Sequence, residues 1–300
     1  MRVPDKILTY MVKKMVLGTR VDLVSRSEAV EMISGWVGEG DKTRLVATAY
    51  SEFFVAALGD KAFRMALEGS DLITPDGIGP LAAISYQLAA ARQTKMAGKF
   101  LVGLKTGVDI LRGRVGQPVS GYWLFQALVE RAADEGWSVF LLGGFGETAE
   151  RLAAKLSRVS SSRKRGSIRI DSHFRGNDIE KIGFEGGAQT VAEMTGEANE
   201  AVIEKINRFK PDLLFVAYGP VKQEKWLAKN KGKLRVKVAM GVGGAFDEAL
   251  GLVRPAPVFM TRIGLKWFWR LLQQPQRLPR IFKATIVFVW LVFVESFRKE

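Results

Sequence analysis

Three hundred residues, 47% of them hydrophobic, suffice for one large α/β domain or two smaller ones with a buried core, and they exclude a disordered chain. A balance of 45 Lys and Arg against 31 Asp and Glu leaves a net charge of +14, which attracts phosphates, anionic lipid or nucleic acid without choosing among them. The absence of cysteine excludes disulfides, thiolate catalysis and thiolate metal sites, and it fits a reducing compartment.

The amino end, MRVPDKILTYMVKKMVLGTR, has neither the continuous apolar core nor the small-residue cleavage site of a signal peptide, so a cytoplasmic chain is expected. Apolar runs at 45–49, 72–74, 139–142, 213–217 and 236–240 have the length of buried strands, and amphipathic stretches such as YWLFQALVERAADEG and ANEAVIEKINRF lie between them. That alternation predicts an α/β fold, a Rossmann-like, mostly parallel sheet with helices on both faces. Ligands of such sheets sit beyond the carboxyl ends of the strands. Thr48, Asp76, Gly143, Gly144, Gly219 and the glycines Gly241, Gly243 and Gly244 fall at those ends.

Three of these places carry motifs. In LITPDGIGPL, residues 72–81, Asp76 either belongs to a type I turn with Pro75 in second position or presents a carboxylate to the crevice as a general base. GVGGAFDEALG follows a strand and opens a helix, which suits a phosphate cradle and equally a tight strand-to-helix turn. Phe246 stands where a dinucleotide fingerprint needs its third glycine, which argues against a nicotinamide-dependent oxidoreductase. YGPVKQEKW puts Gln223 and Glu224 in a first helical turn, where the helix dipole alone accounts for Glu224.

Residues 157–187 are polar and basic, hold the sole histidine, His173, and read as an exposed insertion rather than a nucleic-acid arm. Residues 89–118 have no clear period and find no place on the sheet. At the carboxyl end, ATIVFVWLVFV (284–294) is eleven residues long, too short for a bilayer that requires about 20. Cations and aromatics alternate around it, the pattern of a helix lying in a lipid interface. The organisation expected is therefore a body over 1–255, with 157–187 as its insertion, and a helical membrane-association appendage over 256–300.

Taken in order, these pieces resemble the WecG/TagA/CpsF glycosyltransferases, glycosyltransferase family 26. The resemblance rests on TAYSE (48–52), PDGIG (75–79), LLGG (141–144), GPVKQEKW (219–226), GVGGAFD, RPAP and GLKWFWRLLQQPQRLPR, and it spans roughly 16–282 with two gaps. It departs from the family pattern at Tyr50, where Asn is usual, at Pro118 for an Arg, at Trp123 for an Asp, and at Lys266 for an acid. Arg112 or Arg114 is the candidate to stand in for that Arg after adjustment of the loop.

The resemblance implies an inverting transfer of an N-acetylhexosamine-type sugar, N-acetylmannosamine or a relative. The donor would be a UDP-sugar and the acceptor a polyprenyl-diphosphate-linked sugar at the inner face of the plasma membrane, in cell-surface polysaccharide synthesis. It implies Asp76 as general base with Thr48 beside it, and a substrate pocket of Gly77, Gly143, Gly144, Gly219, Gln223, Glu224, Gly241, Gly243 and Gly244. Arg254, Arg262, Arg270, Arg277 and Arg280 are assigned to diphosphates or anionic headgroups. No metal, no cofactor and no nucleic acid are expected, and the alternative left open is a weakly active or non-catalytic basic membrane- or nucleic-acid-binding relative.

Overall fold

The computed structural model describes residues 12–40, 42–163, 182–186, 196–254, 256–257, 260 and 265–297. Six parallel strands form the main sheet: β3 (Arg44–Ala49), β4 (Leu72–Pro75), β5 (Val139–Gly143), β6 (Ile182–Glu185), β7 (Leu213–Ala217) and β8 (Val238–Gly241). Their order is β4-β3-β8-β7-β5-β6, with registers such as Thr48 opposite Thr74 and Val216 opposite Gly241. A separate antiparallel hairpin, β1 (Val12–Val16) and β2 (Thr19–Leu23), precedes it. Its turn residues Leu17 and Gly18 both have positive φ, the geometry that Asn-Gly usually signals, so Leu-Gly concealed the hairpin in the sequence.

Alternate strand residues divide the core between the two faces, as expected of a parallel sheet buried on both sides. Val46, Leu141, Phe215 and Met240 pack under α1 (Arg26–Gly38), α6 (Gly121–Glu135), α7 (Thr148–Arg163) and α10 (Ala245–Leu250). Ala47, Ala49 and Ile73 face α2 (Ser51–Gly59), α3 (Lys61–Glu68) and α4 (Ile78–Ala90). Leu142, Val216 and Ala239 meet α8 (Gly196–Phe209) and α9 (Lys222–Asn230).

The structure corrects three readings. The segment 157–187 is not wholly an insertion: its start continues α7, and Ile182–Glu185 is the edge strand β6, paired in register with β5. His173 and residues 164–181 lie outside the described residues. The unplaced stretch contains a sixteen-residue helix, α5 (Met96–Leu111), packed on α4.

The carboxyl end also differs from a free appendage. Helices α11 (Lys266–Gln273), α12 (Leu278–Phe282) and α13 (Phe288–Glu295) follow, the last two joined by a π-helical turn, Lys283–Val287. Phe288 and Val292 are 3% and 4% exposed, within the same core cluster as Phe54 and Ala83. Glu295 accepts the N–H of Leu17 and the side-chain amide of Gln87, so the hairpin, α4 and α13 are tied together. The opposite side of these helices stays apolar and exposed at Leu278, Phe282, Ile286 and Trp290.

Candidate active site

The chain goes outward from β3 to β4 and then crosses to the far side of β8, so β3 lies between β4 and β8. Doubly wound sheets bind ligands in a crevice beyond the carboxyl ends of their strands. A cavity of about 1510 Å³ lies there, and Thr48, Tyr50, Asp76, Gln223, Gly243 and Gly244 are among its lining residues.

Asp76 is fixed from two directions. Its N–H donates to Ala49 O (2.9 Å), and one carboxylate oxygen accepts the N–H of Gly121 (3.0 Å) in the first turn of α6, where unpaired amides attract negative charge. Pro75 is still paired with Ala49 as the last residue of the edge strand, which tolerates a missing N–H. Gly77, at φ +81°, is the N-cap of α4. TPDG is therefore a strand end running directly into a helix start, not a free turn. Thr48, buried at the end of β3, borders the same space.

The buried pair Gln223 and Glu224 organises the β8 side. Gln223 Oε1 accepts the N–H of Gly243 (3.0 Å), and its amide donates to Glu224 Oε1 (2.7 Å). A Cβ at position 241 would lie 2.6 Å from Gln223 Nε2, so only glycine leaves room for this pair. Burial pushes the Glu224 carboxyl up to about 7, against the lowering effect of the Gln223 and Val221 hydrogen bonds. The expectation that the amides of 241–244 are all available to a phosphate is corrected, since Gly243 spends its N–H on Gln223.

Cations enter from three parts of the chain. Arg280 donates to both carboxylate oxygens of Glu52 (3.1 Å each from Nε) and to the Tyr50 hydroxyl (2.9 Å). Burial works against its charge, yet the Glu52 carboxylate holds its pKa above the ordinary value. Burial first, and Glu52 second, raise the Tyr50 pKa. Tyr50, the departure from the family's Asn, thus receives a tail arginine. Arg270 pairs with Glu248, and both line the cavity.

Arg26 was not anticipated. Its guanidinium lies 4.7 Å from the Trp123 ring centre and Nε donates to Pro118 O (3.2 Å), so the corner where the resemblance expects an Arg receives its cation from position 26. Burial lowers its pKa. The Ser25-to-Glu28 capping box, visible as SRSE, was the available sign that a helix starts there.

Gly77, Gln223, Gly243, Gly244, Arg270 and Arg280 therefore join Asp76 and Thr48 at the cavity, while Gly143, Gly144, Gly219, Glu224 and Gly241 are not among its lining residues. The Arg254 backbone carbonyl accepts from Trp269 and Gln273, and its side chain does not line the cavity either. Arg262 lies outside the described residues, as does the side chain of Arg277. Among the described residues no group of three or more His, Asp or Glu is placed to hold a metal ion, and no helix is long and apolar enough to cross a membrane.

Comparison with known proteins identifies the family. The curated N-acetylglucosaminyldiphosphoundecaprenol N-acetyl-beta-D-mannosaminyltransferase of Bacillus spizizenii is 29% identical over 241 residues, 80% of this chain and 76% of the relative. Its counterpart in Bacillus subtilis is 27% identical over 79% of this chain and 74% of its own length, and that of Staphylococcus aureus is 26% identical over 64% and 68%. The model of the glycosyl transferase WecG/TagA/CpsF family matches residues 14–102 and 101–300, and the chain belongs to that family.

Proposed function

We propose that the chain moves an N-acetylhexosamine, N-acetylmannosamine or a relative, from a UDP-sugar to a polyprenyl-diphosphate-linked sugar at the inner membrane face, with inversion. The observation that carries this reading is the Asp76 carboxylate, anchored on Gly121 inside a cavity that four arginines, Arg26, Arg112, Arg270 and Arg280, also line. A hydroxyl of the acceptor sugar attacks the anomeric carbon and Asp76 takes its proton. The bond to the UDP oxygen breaks in the same displacement, and UDP leaves with the electron pair. Arg26, Arg270 and Arg280 balance the growing diphosphate charge, and Thr48 orients the reacting groups.

The tail joins this scheme through its two faces. Its inner side, with Phe288, Val289 and Arg280, completes the cavity wall, and its outer side, with Ile286 and Trp290, lies on anionic lipid. Residues 256–300 thus serve as the membrane-association region while sharing the core of the body. Titrating UDP, UDP-N-acetylhexosamines and NAD against the purified protein tests the reading. UDP and its sugar conjugates should raise the melting temperature and NAD should not. Stabilisation by NAD alone, or by none of them, overturns it.

A further inference from the structure

We infer that the crevice between α5 and the C-terminal helices is a channel for the polyprenyl chain of the acceptor, with α5 as its second membrane-facing wall; this rests on the proposed lipid-linked acceptor. The reason α5 shows no clear period is that its buried residues are Lys99 and Thr106, while its large apolar residues point outward. Thr106 is buried and Val102 packs against the core, whereas Phe100, Leu101, Leu104, Val108 and Leu111 are exposed along the opposite side. A contiguous apolar stripe that the protein leaves uncovered marks a surface for an apolar partner.

The facing wall is α13, whose Val289 is 65% exposed and lines the cavity. Both helices pack on α4. They meet at one end, where the Lys99 ammonium bonds Ser296 O and sits 4.4 Å from the Phe297 ring centre. From that junction toward Asp76 the space between them is open cavity, lined by Gly103, Gly107, Ile110, Ala284, Val289 and Phe293. The same cavity continues to Asp76 and Arg280. A ligand that matches this sequence of surroundings is apolar at the outer end and carries a diphosphate at the inner end. A polyprenyl diphosphate has that polarity, and the exposed apolar sides of α5 and α13 allow it to enter from the bilayer rather than through water.

The chain has no cysteine of its own, so a single introduced thiol reports on the crevice. A Cβ at Gly107 meets nothing within 4 Å, and Gly107→Cys places its thiol in the crevice without displacing a neighbour. In the full-length protein, maleimide labelling of Gly107→Cys should slow roughly tenfold at saturating geranylgeranyl diphosphate and stay unchanged with inorganic diphosphate or UDP. Labelling of Leu104→Cys, on the outer side, should ignore the soluble probe and slow only on anionic vesicles. An unprotected Gly107→Cys, or equal slowing at both positions, overturns the channel. Protection in a protein that transfers no sugar would remove the proposed reaction and leave the channel, and sugar transfer without protection would do the reverse.

Discussion

Two strand ends of one sheet, both rich in glycine, have opposite fates. Beyond β5, Gly143 and Gly144 adopt φ of +93° and +85°, and a Cβ on Gly144 would lie 2.9 Å from Thr148 Cβ. The protein's own side chains fill that end. Beyond β3 and β8 the chain leaves a cavity and directs Asp76 and four arginines to it. Glycine after a strand therefore reports close packing as readily as a ligand, and the side chains brought to that strand end decide which.

The largest expected effect separates the two sides of the tail. Phe288→Ala should cost about 4 kcal/mol in denaturant unfolding, because a buried ring leaves a cavity against Phe54, whose ring centre is 5.8 Å away. Trp290→Ala, on the exposed side, should change stability by less than about 0.5 kcal/mol and weaken cosedimentation with anionic liposomes. Equal stability losses would merge the two sides into one core surface. Truncation after Pro275 removes both and should lower the melting temperature as well as membrane binding.

A somewhat smaller effect sits at the buried pair on the cavity side. Glu224 ordinarily titrates near 4.5 and is pushed up to about 7 in the folded protein, so the folded state keeps a proton that the unfolded chain releases. Stability should fall as pH rises between those values, by about 3 kcal/mol, and level off above them. Glu224→Gln should flatten that slope in unfolding midpoints measured across the window. A slope left intact would assign it to another group.

The glycine contrast itself can be broken by two substitutions. Gly144→Ala, with positive φ and a clash, should cost about 2 kcal/mol of stability and leave UDP affinity unchanged. Gly244→Ala, at φ −80° with nothing within 4 Å of its Cβ, should shift stability by less than about 0.5 kcal/mol and weaken UDP binding by adding a methyl to the cavity wall. Reversed outcomes would move the nucleotide site to the β5 end.

The sheet was legible because buried parallel strands are continuous apolar runs: all five runs became strands, with boundaries moved by at most two residues. The edge strand IGFE was not, since an edge strand with half-exposed residues lacks that signal. Asp76, Thr48 and Gln223 were legible from motif and strand position. Arg26 was not, because it reaches the site from a helix start far away in sequence, and no local pattern links it to Pro118 or Trp123. Arg280 stood out only as one basic residue in an aromatic tail, and its pairing with Glu52 and Tyr50 exists only once the tail folds back.

Sugar transfer by Asp76→Asn, measured beside its UDP affinity, tests the assignment of the general base most directly. The amide oxygen can still accept the Gly121 N–H, so the strand end and the cavity should keep their shape and UDP should bind as before. Turnover should fall on the order of a hundredfold or more, because no group remains to accept the acceptor's proton. A variant that binds UDP normally and retains most of its turnover would contradict the role of Asp76 and leave it an anchor for α6.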